Sequence, residues 1–478
     1  MINKKIKNIC CIGAGYVGGP TMAVIADRCP HIEINVVDLN KNRIDDWNND
    51  DLSKLPIFEP GLDKIIKRCR NRNLYFSINV EKQIALADMI FISVNTPTKT
   101  KGIGAGQAVD LKWVESSARQ ISRYAKGETI VVEKSTLPVK TAETIKDILL
   151  SNRNSSNEND YKEKFFVLSN PEFLAEGSAI SNLENPDRVL IGGDNKNAID
   201  ALKDIYLNWV PSSKIITTDL WSSELSKLIS NAFLAQRISS INSVSAICES
   251  TGADVNEVAL AVGADKRIGK YFLNSGPGFG GSCFKKDILN LVYICNHYGL
   301  KQVASYWQKV IEINSWQQKR ISNLIVEKLF GTLSGKKIVV LGFAFKANTN
   351  DTRESPAINI CKELLQEGAN LYIYDPQVNK KQIGMDLELN DNDNDNEYKT
   401  FNSNEGSWKF AKSIFDSTKN ADAILILTEW NEFQSINWKE IAENMRKPSW
   451  IFDTRCIADL DEAYKYGINI WRVGVDFT

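Results

Sequence analysis

Residues 279–287 read Phe-Gly-Gly-Ser-Cys-Phe-Lys-Lys-Asp and place Cys283 on a glycine turn with Lys285 and Lys286 beside it. Helix-start amides and nearby cations favour the thiolate, the reactive form of cysteine. The same chain opens with an apolar run, 6–12, that enters Gly13-Ala14-Gly15-Tyr16-Val17-Gly18. Alone, G-x-G-x-x-G is a weak signal; after a strand and before a helix it reads as a dinucleotide-binding turn. A nicotinamide cofactor alone takes an alcohol to an aldehyde. A thiolate that adds to the aldehyde makes a thiohemiacetal, whose oxidation leaves a thioester for water to open. The pair therefore points to a carboxylate product. The competing reading for Cys283 is a buried packing cysteine, but none of the other eight has a comparable setting.

Further residues fit this chemistry. Asp38 ends the next strand, 34–38, where a carboxylate accepts hydrogen bonds from ribose hydroxyls and disfavours a ribose phosphate, so NAD is expected over NADP. Arg43 reads as solvated or stacked on adenine. Ser93-Val94-Asn95-Thr96-Pro97-Thr98 and Glu133-Lys134-Ser135-Thr136-Leu137-Pro138 follow two apolar runs. Carboxyl ends of parallel strands are where such sheets bind ligands, although turns and caps use the same residue types. Asn170-Pro171-Glu172-Phe173-Leu174-Ala175-Glu176-Gly177 follows another run, 165–168. There Glu172 could activate water, an effect of about 10²- to 10⁴-fold for a general base. A carboxylate opposing a helix dipole is the alternative, and it suits Glu176 better. Lys227 and Asn231 are four apart on one helical face and could hold a developing oxyanion; a solvated lysine fits the spacing equally. Asp287, four beyond Cys283, would orient Lys227 or a water, or cap a helix. His31 and His297, the only histidines, read as surface or packing residues. No metal site is expected.

The elements that position these residues form a pseudo-repeat. Strand, glycine turn, helix and acid-ended strand recur when residues 336–341 enter Gly342 and residues 371–375 end in Asp375. Two Rossmann-like, doubly wound α/β domains follow. Between them a stretch without Pro or Gly, from Ser222 to about Gly252, predicts a long central helix with Ser222 or Ser223 as N-cap. A second helix is expected over about 303–330, ended by Gly331. The division is residues 1–219, which carry the dinucleotide turn, 220–330, which are helical, and 331–478, the second α/β domain. Small residues along the first helix suit a dimer seam or packing within the chain. Polar tracts at 151–160 and 390–397 read as surface loops without chemistry.

Composition bounds the partners. Lys plus Arg, 58, nearly cancel Asp plus Glu, 59, so no basic field recruits nucleic acid or an anionic membrane. No apolar run approaches the roughly 20 residues of a spanning helix, and no signal core or lipidation motif is expected. Nine cysteines without Cys-x-x-Cys pairs suggest reduced thiols in the cytoplasm.

With these motifs the chain resembles the UDP-glucose/GDP-mannose dehydrogenase family, in particular its animal-type branch. The likeness rests on residues 10–20, 91–99, 169–177, 221–242, 278–287, 341–346, 351–355 and 452–455, in that order. It implies four-electron oxidation of UDP-glucose to UDP-glucuronate with two NAD⁺ and one water. By resemblance Cys283 is the nucleophile and Glu172 the acid-base residue. Thr136 and Asp287 position water and protons, and Lys227 and Asn231 stabilise the oxyanion. NAD would contact Gly13, Ala14, Gly15, Tyr16, Val17, Gly18, Asp38, Arg43, Asn95, Thr96, Pro97, Ser135, Glu176, Lys286 and Arg353. Besides Glu172, Lys227 and Asn231, the sugar nucleotide would contact Phe173, Leu174, Phe279, Gly280, Phe284, Phe345, Lys346 and Arg455, with Arg267 reaching a neighbouring subunit's site. The resemblance implies homodimers or homohexamers. The chain departs from animal relatives at Asn274, usually lysine, at Ala347-Asn348, usually charged, and at Thr454, usually glycine; it also lacks their polar C-terminal tail. A sister enzyme acting on GDP-mannose or a UDP-N-acetyl sugar would need the same residues. A catalytically silent NAD-binding scaffold would keep only the fold.

Overall fold

The computed structural model describes residues 5–151, 165–388, 399–400 and 406–476 and separates into two compact units, Met1–Ser230 and Asn231–Thr478. Apart from Ser151, the polar tracts 151–160 and 390–397 lie outside the described residues.

The first unit is built on eight strands: β1 (Asn8–Ile12), β2 (Glu33–Val37), β3 (Leu74–Ser77), β4 (Met89–Ile92), β5 (Thr129–Glu133), β6 (Phe165–Ser169), β7 (Val189–Gly193) and β8 (Ile215–Thr218). Their order is β3-β2-β1-β4-β5-β6-β7-β8. All residues of β4 and β5 are buried, as continuous apolar runs covered on both faces require. Pairing is parallel except between β6 and β7. The order reverses direction between β1 and β4, the crevice where open α/β sheets take ligands. The glycine turn sits there. Gly13 has φ +109°, and a Cβ on it would lie 2.2 Å from the Ser93 carbonyl oxygen, so the turn closes only with glycine. The helix Gly18–Arg28 follows at once. Trp47 stacks on Phe76 with centroids 4.6 Å apart and donates to the Ala14 carbonyl at 3.0 Å, pinning the turn from beneath.

The helix Leu220–Thr251 begins in the first unit and runs into the second. Its start is earlier than expected: Asp219, not Ser222 or Ser223, supplies the cap by accepting the Ser222 amide at 2.8 Å. In the second unit follow the helices Val255–Ala264, Phe284–His297 and Lys301–Lys328. Gly331 (φ +73°) ends the last of these by donating to the Val326 carbonyl at 2.9 Å. Seven strands then form a second sheet: β9 (Lys337–Leu341), β10 (Asn370–Tyr374), β11 (Lys399–Thr400), β12 (Ser407–Phe410), β13 (Ala423–Ile426), β14 (Trp450–Asp453) and β15 (Asn469–Arg472), in the order β11-β12-β10-β9-β13-β14-β15. All pairs are parallel except β11 with β12. Asp375, after β10, matches Asp38 in position, and like Asp38 it accepts an amide of the turn after the first strand and the amide two residues on. Its carboxylate accepts the amides of Phe343 (2.7 Å), Ala344, Gln377 and Val378 and the Trp430 indole N–H. No helix opens from this turn until Pro356.

One buried pair in the first unit links its sheet to the long helix. Glu133, the last residue of β5, hydrogen-bonds Glu224. Burial, then the Glu224 charge, hold the Glu133 carboxyl well above the usual range, so it keeps its proton. Burial also pushes Glu224 up to about 6, against the amides of Ala142 and Lys140 that donate to it. Both folded values lie above their unfolded ones. The stability these protons contribute is therefore full below about pH 4.5 and is lost as pH rises through the folded values. Glu133→Gln keeps an N–H donor toward Glu224 without a titrating proton. Melting temperatures at pH 5 and 8 should show a shallower decline in the variant, by roughly 5 °C; equal slopes in the two proteins would refute the assignment.

Candidate active site

In the first unit the cofactor residues predicted from the glycine fingerprint meet around one turn. Asp38 accepts the Ala14 amide at 3.0 Å and the Asn40 amide at 2.9 Å. Arg43 ion-pairs with Asp38 at 3.2 Å. Gly15 borders open space, since a Cβ there would meet nothing within 4 Å. A bare turn at a helix N-terminus fits a pyrophosphate, and Asp38 fits a ribose diol. Tyr16, Val17 and Gly18 complete the turn. Asn95 and Pro97 are exposed beyond β4, and Thr96 donates to the Thr136 carbonyl at 3.2 Å. Ser135 donates to the Val94 carbonyl at 2.8 Å, so the two strand-end loops are tied together.

Glu172 lies just beyond β6, buried, as the apolar run before it implied. It accepts hydrogen bonds from Thr136 Oγ1 (3.2 Å), Lys227 Nζ (2.9 Å) and the Leu174 amide (3.2 Å). Lys227 is therefore no surface lysine: its side chain is 5% exposed. The Arg188 guanidinium sits 3.8 Å from the Phe173 ring centroid and Lys227 Nζ 5.3 Å. Asn170, two residues before Glu172, accepts from Tyr206 (2.7 Å) and Lys134 (2.9 Å) and donates to the Leu190 carbonyl. Glu176 does not take the helix-dipole place expected of it, because the next helix is Ala179–Glu184. Its charge instead acts on Tyr16. Sequence reasoning overlooked Glu59, Lys134, Arg188 and Tyr206. The one available signal was Lys134, a charge within a stretch otherwise fit for burial.

In the second unit Cys283 occupies the N-cap position of the helix Phe284–His297, where the helix dipole favours negative charge. Its Sγ is 3.5 Å from Ser282 Oγ, and its carbonyl accepts the Asp287 amide at 2.8 Å. Seven of the nine cysteines are buried; Cys283 and Cys456 are half-buried. Burial and Asp453 push the Cys456 thiol up to about 11. Gly280 packs so closely that a Cβ would lie 2.6 Å from the Glu354 carbonyl oxygen, and the Gly281 amide donates to Arg353 at 2.8 Å. Asp287, 1% exposed, accepts Asn231 Nδ2 at 2.6 Å, with Lys286 Nζ 4.0 Å away. Its side chain thus engages Asn231 and does not cap the helix.

Other predicted binding residues divide. Phe279 and Phe284 meet edge to face at 5.8 Å, and Lys346 lies over Phe345 at 5.5 Å. Arg455 donates to the Leu427 and Phe345 carbonyls and pairs with Glu429 at 3.1 Å. Arg353 is exposed and forks onto Asp351. Arg267, its side chain 89% exposed, pairs with Asp265. Among the described residues no cluster of His, Cys, Asp or Glu is arranged for a metal, and no helix is long and apolar enough to cross a membrane.

Family models match most of the chain. Residues 7–210 match the description "UDP-glucose/GDP-mannose dehydrogenase family, NAD binding domain", residues 221–316 the central domain and residues 339–460 the UDP binding domain of the same family. The chain is 55% identical to UDP-glucose 6-dehydrogenase 3 of Oryza sativa subsp. japonica over 98% of its own length and 96% of that protein. It is 54% identical to UDP-glucose 6-dehydrogenase 4 of Arabidopsis thaliana with the same coverage. A solved UDP-glucose dehydrogenase from the archaeon Pyrobaculum islandicum superposes with a TM-score of 0.81 at 28% identity, covering 100% of this chain and 99% of that one. With three family models matched in order along the chain and relatives more than half identical over nearly its full length, the chain belongs to the UDP-glucose/GDP-mannose dehydrogenase family.

Proposed function

We propose that this protein is an NAD-dependent dehydrogenase that oxidises the primary alcohol of UDP-glucose to the carboxylate of UDP-glucuronate. The observation that carries the reading is Cys283 at the head of its helix in a chain 55% identical to a UDP-glucose 6-dehydrogenase. The turn 13–18 and Asp38 would hold NAD⁺, which would supply the hydride acceptor; two NAD⁺ in succession would be needed, one for the alcohol and one for the thiohemiacetal. The Cys283 thiolate adds to the aldehyde carbon and its adduct becomes a thioester. Glu172, aligned by Thr136 and Lys227, takes a proton from water as the water oxygen attacks the acyl carbon; the C–S bond breaks and Cys283 leaves as thiolate. Lys227 and Asn231 offer N–H donors to the oxyanion, and Asp287 fixes the Asn231 amide. Arg455, Phe345, Lys346, Phe279, Gly280 and Phe284 receive the sugar nucleotide.

The division into residues 1–219, 220–330 and 331–478 belongs to the same proposal, with NAD bound by the first part and the UDP moiety by the last. Self-association as a homodimer or homohexamer is supported by large apolar side chains left exposed on the helices of the second unit, among them Phe233, Ile247, Leu260 and Tyr306. Arg267 would then serve the neighbouring subunit. Nine cysteines in the thiol form support a reducing, cytoplasmic setting.

The test is the number of NADH formed per UDP-glucose at limiting sugar nucleotide and excess NAD⁺. Two are expected. One would stop the reaction at the aldehyde and remove Cys283 from the chemistry. None, with turnover of GDP-mannose or a UDP-N-acetyl sugar instead, would reassign the substrate.

A further inference from the structure

Glu59 lies in the loop before the helix Leu62–Cys69, far in sequence from every motif above, and is 5% exposed. Both of its oxygens are engaged. Oε1 accepts the Gly177 amide at 2.6 Å and also the Tyr16 hydroxyl; Oε2 accepts the Ala179 amide at 2.9 Å. Tyr16 belongs to the dinucleotide turn. Burial, then the bond to Glu59, hold its hydroxyl far above the ordinary range, so Tyr16 is the donor. Gly177, at φ +77°, closes the segment that begins with Glu172. One carboxylate therefore spans the cofactor turn and the loop of the general base.

A capping role accounts for only part of this. The helix Ala179–Glu184 receives no side-chain cap from Ser178, and Glu59 supplies the missing acceptor through the Gly177 and Ala179 amides. The bond from Tyr16 adds nothing to that cap. Its geometric effect is to fix where Oε1 stands, and hence where Gly177 stands, relative to the turn that meets the pyrophosphate.

We infer that Glu59 is a positioning residue that, through Tyr16, couples occupation of the dinucleotide turn to the setting of the Glu172 loop. The role rests on the reading of Glu172 as general base. The test uses the full chain. Amide hydrogen exchange of residues 172–179 is followed with and without NAD⁺, in wild type, Tyr16→Phe and Glu59→Gln, and NAD⁺ affinity is titrated separately by tryptophan fluorescence. In wild type NAD⁺ should slow exchange of this segment. Tyr16→Phe should lose that protection at saturating NAD⁺ and lower kcat about tenfold, the worth of one hydrogen bond to a charged group, with the KM for UDP-glucose little changed. Glu59→Gln should do the same and also melt earlier. If Tyr16→Phe keeps both the protection and kcat, Glu59 is a helix cap only and the inference fails; should Glu59→Gln not fold, Tyr16→Phe decides alone. Absence of NAD⁺ protection in wild type also overturns it. Because exchange is read with NAD⁺ alone, a wild type that makes no NADH from UDP-glucose would sink the substrate reading and leave this coupling standing.

Discussion

Cys283→Ser should lower steady-state NADH formation by about 10³-fold or more, since a neutral hydroxyl adds poorly to a carbonyl and its ester is a slower acyl donor than a thioester. The position magnifies the change. Cys283 heads a fourteen-residue helix, where a thiolate gains from the dipole and a neutral hydroxyl gains little. The substitution is small and the turn is fixed by Gly280 and Gly281 packing against residues 345 and 353–354, so the fold should survive. Intact mass spectrometry should find a UDP-glucuronyl ester on the introduced serine after mixing with UDP-glucose and NAD⁺. Wild-type turnover in this variant would end the covalent mechanism.

Glu172→Gln should produce a different arrest. NADH should appear in a burst of two per active site, after which turnover runs about 10²- to 10⁴-fold slower, the usual value of a general base. The acyl group would stay on Cys283 and be visible as an adduct of the intact protein. Glutamine can still accept from Thr136, but it leaves the Lys227 ammonium buried without its carboxylate. Breaking one side of a buried pair costs about 3–5 kcal/mol, so a lower melting temperature should accompany the kinetic effect. A variant that loses the burst itself would place Glu172 in the first oxidation instead of in hydrolysis.

Much of this architecture is written locally. The runs that became β1, β4 and β5 are apolar and β-branched, and the glycines after β1 mark a turn that only glycine closes. Glu172 and Cys283 were legible because each follows a boundary, one beyond a strand and one before a helix. The reversal of β7 against β6 was not, because a largely buried apolar strand has the same composition in either direction. Glu59 was invisible for another reason. Its partners lie 43 and 118 residues away, and no periodic pattern records a pairing made only by folding. The same holds for Arg188 over Phe173. Asp219 was passed over because two serines beside it suit an N-cap equally well.

The Asp375 carboxylate has a consequence for the catalytic cycle. It occupies the amides of its own turn, and that turn has no counterpart to Gly15 and Gly18 and no helix opening from it. The second sheet thus repeats the strand order of a dinucleotide fold without the open glycine turn, Ala344 and Ala347 standing where the first turn has Gly15 and Gly18. In the proposed reaction two NAD⁺ would bind in succession at the glycine turn of the first unit, and spent cofactor would be swapped for fresh while the half-oxidised sugar waits. In that proposal a bond to Cys283 would hold the aldehyde through the exchange and keep it out of solution.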